Sequence, residues 1–213
     1  MTDLAQLWPA AGLHVHAGDV ELRWIDDELL VQLAELAASG IHAPDYMPFT
    51  YPWSRGSREQ VMRNVLAYQW EARQHVGPGK LVLEMAVLHR GVPVGVQAAS
   101  GRDYSVLRSV ETGSWLAASA QGQGLGTMMR TAMLHLLFDG LDAAVVASTA
   151  YADNHASNRV SLKTGYLPDG STLAVRDGQA AVLNRYVMYA QRFEQFRDES
   201  VVVSGADAVR ALL

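Results

Sequence analysis

Apolar residues recur along the chain with a period that switches repeatedly between two and about 3.6, the spacings of strands and of helices. No longer spacing repeats, so a repeat architecture is excluded and the pattern predicts one mixed α/β domain. The predicted elements are a strand or bent hairpin at 14–23, helices at 26–38 and 57–74, a hairpin at 81–88 and 92–98, a strand at 109–118, a helix at 127–138, a buried strand at 143–149, a short helix ending at Gly165, and strands at 171–175 and 181–189.

Two segments depart from this alternation. Residues 40–55 form a predicted loop with three of the seven prolines and four aromatic residues, so it must pack against the domain, as a wall rather than a hinge. Residues 197–213 follow a single predicted domain at 1–196 and are expected to add a short strand and a weak helix. We expect this extension to pack on the domain or on a second copy of the chain, and a homodimer is the predicted assembly.

The composition excludes several classes of function. The chain has 213 residues and 49% hydrophobic residues, and a domain of this size folds without covalent staples. Because it has no cysteine, it has no disulfide scaffold, cysteine-based zinc site or cysteine nucleophile. A formal charge of −5 provides no basic field for nucleic acid or an anionic membrane. No basic residue precedes Arg23 and no apolar run is long enough to span a membrane, so we expect a cytoplasmic protein.

A glycine-rich turn, Gln121-Gly-Gln-Gly-Leu-Gly126, stands between the strand at 109–118 and the helix at 127–138. Glycines at alternate positions permit a tight turn that exposes backbone N–H groups beside a helix N-terminus, which suits a pyrophosphate. The dinucleotide fingerprint G-x-G-x-x-G fails because Thr127 replaces its last glycine, and Walker A fails because no Gly-Lys follows. A plain surface turn is the alternative interpretation.

A second motif follows the predicted buried strand at 143–149. Asn154 stands near the carboxyl end of that strand, and Ser157 lies in the first turn of the next helix, where its hydroxyl can face a cleft at the sheet edge. The alternative is a capped helix without chemistry, because Asn is a common N-cap residue.

Glu111 lies on the predicted strand before the glycine-rich turn. Side chains alternate along a strand, so Glu111 shares a face with Gly113 and Trp115, and we expect its carboxylate to enter a partly buried face. Desolvation would raise its pKa and allow it to accept a proton from an amine, directly or through water. An ion pair with an arginine is the competing interpretation.

The seven histidines give little support for a metal site, because they form no H-x-x-x-H or H-E-x-x-H motif. His14 and His16 share a strand face without an evident third ligand, so no metal is predicted. His42, in the loop at 40–55, is a candidate substrate contact. The chain contains no G-x-S-x-G motif, which argues against a serine hydrolase.

Together, the two motifs resemble those of the GNAT superfamily of acyl-CoA-dependent N-acetyltransferases, in particular its RimJ/RimL-like branch. The turn that starts at Gln121 is similar to the Q/R-x-x-G-x-G/A loop of that family, and Asn154-x-x-Ser157 is similar to the N-x-x-S motif of the branch. The resemblance covers residues 81–189. It implies a mixed α/β fold whose central, mostly antiparallel sheet contains a splayed parallel pair that holds acyl-CoA and is flanked by helices.

By this resemblance, the glycine-rich turn and the following helix hold the pyrophosphate of coenzyme A, and the strand before the turn pairs with the pantetheine arm. Acetyl-CoA is the implied acyl donor, and succinyl-CoA is the alternative if Arg55 or His42 meets a carboxylate on the acyl group. The residues implied to bind acyl-CoA are Trp115, Leu116, Ala117, Gln121, Gly122, Gln123, Gly124, Leu125, Gly126, Thr127, Asn154 and Ser157.

The resemblance also implies how the acyl group moves. An amine attacks the thioester directly, a backbone N–H near Leu116 stabilises the developing oxyanion, and Ser157 protonates the leaving thiolate. Ser157 receives this role because residues 161–163 provide no tyrosine where many family members carry a catalytic one. Glu111 is the implied general base.

The acceptor is expected to be a primary amine on a protein N-terminus, a lysine or a small molecule. The residues expected to contact it lie in the loop at 40–55 and are His42, Tyr46, Trp53 and Arg55. Two other functions stay open because a fold does not fix an activity: a catalytically silent acyl-CoA-binding module, and a nucleotide-phosphate binder whose glycine turn is unrelated to the Asn154 motif.

Overall fold

The computed structural model describes residues 2–213, which form a ten-stranded sheet with helices on both faces. The strands are β1 (His14–Ala17), β2 (Val20–Trp24), β3 (Val76–Gly77), β4 (Lys80–His89), β5 (Val92–Arg102), β6 (Ser109–Leu116), β7 (Val145–Tyr151), β8 (Leu167–Arg176), β9 (Gln179–Tyr189) and β10 (Val202–Ser204). The helices are α1 (Leu4–Leu7), α2 (Asp27–Ala38), α3 (Arg58–Arg73), α4 (Tyr104–Leu107), α5 (Leu125–His135), α6 (His155–Lys163), α7 (Ala190–Phe193) and α8 (Ala206–Arg210). The 3₁₀ turns Pro9–Gly12 and Ala118–Ala120 and the π turn Leu136–Gly140 complete the elements.

The strand order is β10-β1-β2-β4-β5-β6-β7-β9-β8, and β3 pairs with β4 beside this path. Each of these pairings is antiparallel except that of β6 with β7. A parallel pair needs a crossover connection, which α5 provides. The predicted fold class, a mostly antiparallel mixed sheet with one parallel pair, is confirmed.

Helices cover both faces of the sheet. Helix α2 begins after Asp26, whose carboxylate accepts the N–H of Leu29 at 2.8 Å, and α3 begins after Ser57, whose hydroxyl accepts the N–H of Gln60 at 3.3 Å. Both helices pack on one face, where the sheet residues in contact with them are Ala86, Leu88, Val96 and Trp115. Helix α5 covers the opposite face and contributes to the larger core cluster. The acceptor loop, residues 40–55, connects α2 to α3.

Two element boundaries differ from those expected from the sequence. Helix α5 begins at Leu125 rather than at residue 127, because Gly124 adopts a left-handed φ of +84° and forms its N-cap. Strand β7 begins at Val145 rather than at residue 143. The reason is that the Ala144 N–H donates to the carbonyl of Arg108 in the connection that precedes β6.

The sheet extends further than expected at one edge, and at the other edge it ends in the expected short strand. Strand β8 continues to Arg176, because Asp177 and Gly178, with φ values of 53° and 76°, close a tight hairpin with β9. At the other edge, β10 pairs with β1, and α8 buries Ala206 and Val209 in the core. Within residues 2–213, every helix is too short or too polar to cross a membrane.

Candidate active site

A cleft opens where the two parallel strands part. Backbone pairing between β6 and β7 ends at Thr112 and Ser148, although β6 continues to Leu116 and β7 to Tyr151. The cleft has a volume of about 1360 Å³ and extends from α2 and α3 to the N-termini of α5 and α6. The separation of the strands therefore leaves backbone groups available to a ligand.

The backbone of β6 directs N–H groups into this cleft. The N–H of Ala117 donates to the carbonyl of Val94 on β5 at 2.9 Å. Successive residues of a strand point their N–H groups to opposite sides, so those of Ser114 and Leu116 point toward β7. Because the pairing with β7 ends before these residues, both donors face the cleft. The resemblance to the family implies an oxyanion-binding N–H near Leu116.

The glycine-rich turn lies at the N-terminus of α5. Gly122 and Gly124 have φ values of +74° and +84°, and a Cβ atom at either position would meet no atom within 4 Å. A side chain here would be strained, while the space beside the backbone is open to a ligand. The next N–H groups, of Leu125 and Gly126, lie in the first turn of α5 and have no intrahelical acceptor. With the positive end of the helix dipole, the turn forms an anion site.

The side chain of Gln121 anchors the turn. Its Nε2 donates to the carbonyl of Leu116 at 2.9 Å and to that of Ile41 at 2.8 Å. One glutamine thus connects the end of β6, the glycine-rich turn and the acceptor loop. The amide is committed to protein carbonyls, so a ligand meets the backbone at this position.

Nine of the twelve residues expected to bind acyl-CoA line the cleft, and three do not. Ala117 and Leu125 are buried in the core. The amide of Gln123 donates to the carbonyl of Ser119 at 2.7 Å. Leu125 points inward because it occupies the first turn of an amphipathic helix that packs on the sheet.

Asn154 and Ser157 lie at the start of α6. The Asn154 side chain accepts the Ser157 N–H at 3.2 Å, so Asn154 is the N-cap of this helix. Ser157 is half-buried and lines the cleft. The cap uses only the backbone N–H of Ser157, so the Ser157 hydroxyl is available to a ligand.

Asn158, which the sequence analysis missed, fixes the position of α6. Its Nδ2 donates to the carbonyl of Tyr151 at 2.8 Å, and its Oδ1 accepts the Tyr186 hydroxyl at 2.6 Å and the Asn184 amide at 2.9 Å. Asn158 is buried, and a buried amide with satisfied donors and acceptor holds a single geometry. In the sequence, the only sign of this role was that an asparagine directly follows Ser157.

Glu111 is exposed on the wall of the cleft, so the expectation of a partly buried carboxylate was wrong. The strands are still paired at Glu111, opposite Ala147, so its side chain projects from the face of the sheet into the open cleft. Its Oε1 accepts a hydrogen bond of 2.6 Å from the Thr149 hydroxyl on β7. In the described part of the chain, the ion-pair alternative is also wrong, because the partner of Glu111 is this threonine rather than an arginine.

Glu84, in contrast, is a buried carboxylate that the sequence analysis missed. It lies on β4, is only 8% exposed and lines the inner wall of the cleft. The Tyr68 hydroxyl and the Gln69 amide on α3 donate to its oxygens at 2.8 and 3.1 Å. Burial raises the pKa of Glu84 to about 7, against the lowering effect of these two hydrogen bonds. The sequence sign of this burial was a glutamate in the middle of an otherwise apolar strand.

Arg130 on α5 is the second buried charge, with 2% of its surface exposed. Its guanidinium donates to Ser148 on β7 at 3.0 Å and to Gln97 on β5 at 3.4 Å, and it lies 5.8 Å from the centre of the Tyr166 ring. It therefore spans beneath β6 from β5 to β7. Its partners among residues 2–213 are neutral, so its positive charge lies uncompensated behind the splayed strand.

The acceptor loop packs as a wall, as the sequence predicted. His42 contacts the Ala43 carbonyl at 2.8 Å and the Ser54 hydroxyl at 2.7 Å, which fixes its ring through both nitrogens. The Trp53 ring lies between those of Phe49 and Trp115, with centroids 5.1 and 6.0 Å away. His42 and Trp53 line the cleft.

One ion pair and one hydrogen bond to a second ion pair connect this loop to the β8–β9 hairpin. The Tyr46 hydroxyl donates to Asp153 at 3.2 Å, and Arg176 donates to both Asp153 oxygens at 2.9 and 2.7 Å. Arg55 forms a two-point pair with Asp177 at the hairpin tip. Tyr46 lines the cleft but Arg55 does not, so the expected substrate contact of Arg55 was wrong. The β8–β9 hairpin is long enough to bring Asp177 to Arg55.

The charged side chains of the cleft are divided between its two halves. Carboxylates line the half formed by α3, β4 and β6, and they are Glu71, Glu84 and Glu111. Arg159 and Lys163 line the half formed by α6, together with Asp153, whose carboxylate is paired with Arg176. Arg130 on α5 adds a further positive charge to the lining. A ligand that is anionic at one end and cationic at the other complements this division.

An anion site beside a cleft between two splayed strands suits a transferase that uses an acyl-CoA thioester. Residues 19–167 match the family model described as the acetyltransferase (GNAT) domain. The chain belongs to the GNAT acetyltransferase family, and it is an acyl-CoA-dependent N-acetyltransferase.

Solved structures with the same fold include members of the RimJ/RimL-like branch that the sequence resembles. Mycobacterium smegmatis RimJ in complex with CoA-disulfide has a TM-score of 0.68 and 22% identity, covering 94% of this chain and 92% of that one. RimL, a ribosomal L7/L12 alpha-N-protein acetyltransferase in complex with coenzyme A, has a TM-score of 0.65 and 20% identity, with coverages of 83% and 97%. A Salmonella typhimurium enzyme that modifies the N-terminal serine of L7/L12 has a TM-score of 0.65 and 19% identity, with coverages of 81% and 95%.

Proposed function

We propose that this enzyme transfers an acetyl group from acetyl-CoA to a primary amine of a positively charged acceptor, which attacks directly as the neutral amine in a ternary complex. The observation that carries the proposal is the division of the cleft. One half has an anion-binding turn and basic residues, the other half has carboxylates, and the parted strands β6 and β7 lie between them.

The residues of the first half fit coenzyme A. The turn at Gly122 and Gly124 has open space and unpaired N–H groups for a pyrophosphate, and Arg159 and Lys163 add positive charge nearby. The free N–H groups of β6 suit the amide groups of the pantetheine arm, which would bond to the strand as another strand does. Asn154 contributes by fixing the start of α6.

The catalytic roles follow from what faces the gap. The N–H of Leu116 is placed to bind the thioester oxygen as negative charge develops there, with the buried Arg130 behind the strand adding a favourable field. The hydroxyl of Ser157 donates a proton to the departing sulfur and regains one from solvent in the open cleft. Glu111, exposed and held by Thr149, accepts the proton of the amine directly or through one water.

The carboxylate half supports an acceptor with positive charge. Glu71 and Glu111, joined by Glu84 when it is ionised, would attract an ammonium group and disfavour an acidic acceptor. The acceptor loop closes this half through Tyr46 and Trp53. A protein N-terminus is the first acceptor to test, because two fold neighbours are named as enzymes of ribosomal protein L7/L12.

Acetyl is favoured over succinyl as the acyl group. Succinyl transfer needs a cation for the distal carboxylate, and the sequence offered Arg55 or His42 for it. Arg55 is paired with Asp177 outside the cleft. His42 uses both ring nitrogens within the loop, so neither side chain is left to bind a carboxylate. The homodimer, the cytoplasmic location and the division of the chain at residue 196 stay predictions.

The test combines binding with turnover. Purified protein is titrated with CoA, acetyl-CoA, succinyl-CoA, ATP and NAD, and thiol release is then followed with basic, neutral and acidic peptides, free lysine and polyamines. We expect CoA-selective binding and release with acetyl-CoA that is fastest for cationic amines. Fastest release with succinyl-CoA would overturn the donor assignment. Binding without turnover on any amine would favour the silent module.

A further inference from the structure

A second cluster of polar side chains lies on the β1–β2 hairpin, away from the cleft. A tight turn with Gly18 at φ +57° joins the strands, and the register places His16 opposite Glu21 and His14 opposite Arg23. Because side chains alternate along a strand, the two histidines and Glu21 project from one face. The hairpin thus provides the third ligand that the sequence of β1 alone lacks.

The three side chains converge closely. One ring nitrogen of each histidine and one carboxylate oxygen of Glu21 all lie within 4.8 Å of one another. The Nε2 of His14 is 2.6 Å from Oε1 of Glu21, yet this nitrogen is closed to solvent and, among residues 2–213, makes no hydrogen bond of acceptable geometry. The contact is therefore misaligned for a hydrogen bond.

We propose that His14, His16 and Glu21 bind a divalent transition metal ion of the zinc class. Imidazole nitrogen and carboxylate oxygen are ligands that zinc prefers, at bond lengths of about 2.0–2.2 Å. Two ligands at that distance from one ion lie roughly 3.3 Å apart in a tetrahedral site. Small side-chain rotations bring three atoms that are within 4.8 Å to this separation, and solvent fills the remaining position. No third ligand was evident from the sequence alone, because Glu21 lies on the neighbouring strand.

The surroundings of the cluster permit an ion to enter. His16 is exposed, and the side chains of His14 and Glu21 are 34% and 22% exposed. Arg23 is the cation nearest to the cluster in the hairpin register, and its guanidinium turns toward Asp26 at 3.4 Å. Glu21 supplies one negative charge, so a divalent ion is partly neutralised.

The position of the cluster indicates a structural role. In the sheet, β1 is separated from β6 by β2, β4 and β5, which corresponds to roughly 19 Å at the usual strand spacing. The ion would connect β1 to β2 at the point where β10 closes the sheet edge. The inference is independent of the proposed acetyl transfer, and its failure would leave that proposal unchanged.

The experiment is a titration of the untagged full chain, stripped with a chelator, with Zn²⁺ in excess Mg²⁺ by calorimetry and by thermal unfolding. Co²⁺ titration adds an absorption spectrum that reports the ligand set. The variants are His16→Gln and Glu21→Gln, and the control is His75→Gln, a histidine at the end of α3 that lies outside the cluster. Both test positions are at least partly exposed, so circular dichroism should show the wild-type fold.

We expect one Zn²⁺ per chain, a rise in unfolding temperature, and a loss of affinity of at least about tenfold in both test variants but not in the control. A cobalt spectrum with nitrogen and oxygen ligands in wild type, lost in His16→Gln, would support the same site. Absence of one-to-one binding in the wild type would overturn the proposal. Equal Zn²⁺ affinity in wild type and in both test variants would do so as well.

Discussion

Thr149 on β7 donates a hydrogen bond of 2.6 Å to the carboxylate of Glu111 on β6, across the gap where the parallel pairing ends. Backbone bonds no longer connect the strands beyond this point, so the side-chain bond holds Glu111 at the mouth of the gap. It also leaves the second carboxylate oxygen free to face an amine. This hydrogen bond therefore holds the Glu111 carboxylate in one position, although the side chain is exposed.

Replacing Glu111 tests its role as the base. We expect Glu111→Gln to lower kcat by about 10²-fold, at the lower end of the range for general-base catalysis, with unchanged CoA affinity. Thr149→Val should lower kcat by less than about tenfold, because it removes only the positioning hydrogen bond. Steady-state thiol release measures both effects. The control is Glu35→Gln on the exposed side of α2, and an unchanged kcat in Glu111→Gln would remove Glu111 from the mechanism.

Ser157→Ala separates protonation of the leaving sulfur from binding. The N-cap of α6 uses the backbone N–H of this residue, so the helix should keep its position. We expect kcat to fall by about 10²-fold, with little change in the affinity for CoA measured by calorimetry. The matched control is Ser119→Ala. Ser119 is exposed, and it accepts the Gln123 amide with its backbone carbonyl, so the substitution keeps that bond. A loss of CoA affinity as large as the loss of kcat would make Ser157 a binding residue instead.

Gly124→Ala tests whether the turn binds the pyrophosphate. Gly170 has a similar φ, +80°, and equally open space around its missing Cβ, but it lies in β8 outside the cleft. Alanine at either site should cost about 1–2 kcal/mol of stability through left-handed strain. Only Gly124→Ala should weaken CoA binding, by about tenfold, or 1.4 kcal/mol. Equal CoA affinities in the two variants would contradict the assignment.

The buried Glu84 makes stability depend on pH. Its pKa of about 7 in the folded protein exceeds its ordinary value of 4.5, so the folded state binds the extra proton between these values. The stabilisation is complete below pH 4.5 and is lost as the pH rises through 7, by an amount on the order of 3 kcal/mol.

Urea unfolding of wild type and Glu84→Gln at several pH values measures this effect. The stability of the wild type relative to the variant should fall between pH 4.5 and pH 8. Glu35→Gln should run parallel to wild type, because that side chain is exposed. A pH-independent difference between wild type and Glu84→Gln would show that Glu84 titrates normally.

The sequence predicted the features that depend on neighbouring residues in the chain. The capping residues Asp26 and Ser57 locate the starts of two helices through bonds to residues three positions away. The glycine-rich turn is equally local, since its left-handed φ values need only glycine at Gly122 and Gly124. Such signals identify an anion site without any knowledge of tertiary packing.

Features that depend on distant contacts could not be read in this way. Arg55 is engaged by Asp177, a partner 122 positions away, so its availability to a substrate could not be judged from the loop. The burial of Glu84 requires α3 to pack over β4, and the exposure of Glu111 requires the cleft to stay open above its face of β6. The alternation of side chains along a strand shows which face of the sheet a residue lies on, but it does not show what packs against that face.

The pairing of β1 with β10 has a consequence for synthesis of the protein. The hydroxyl of Ser204 reaches the carbonyl of His14 across 190 positions of sequence. While the ribosome is still adding the residues before 204, the outer backbone groups of β1 have no strand to bond to. A nascent chain with an open strand edge is prone to pair with other chains. A chaperone that shields this edge until synthesis passes β10 would therefore raise the yield of folded enzyme.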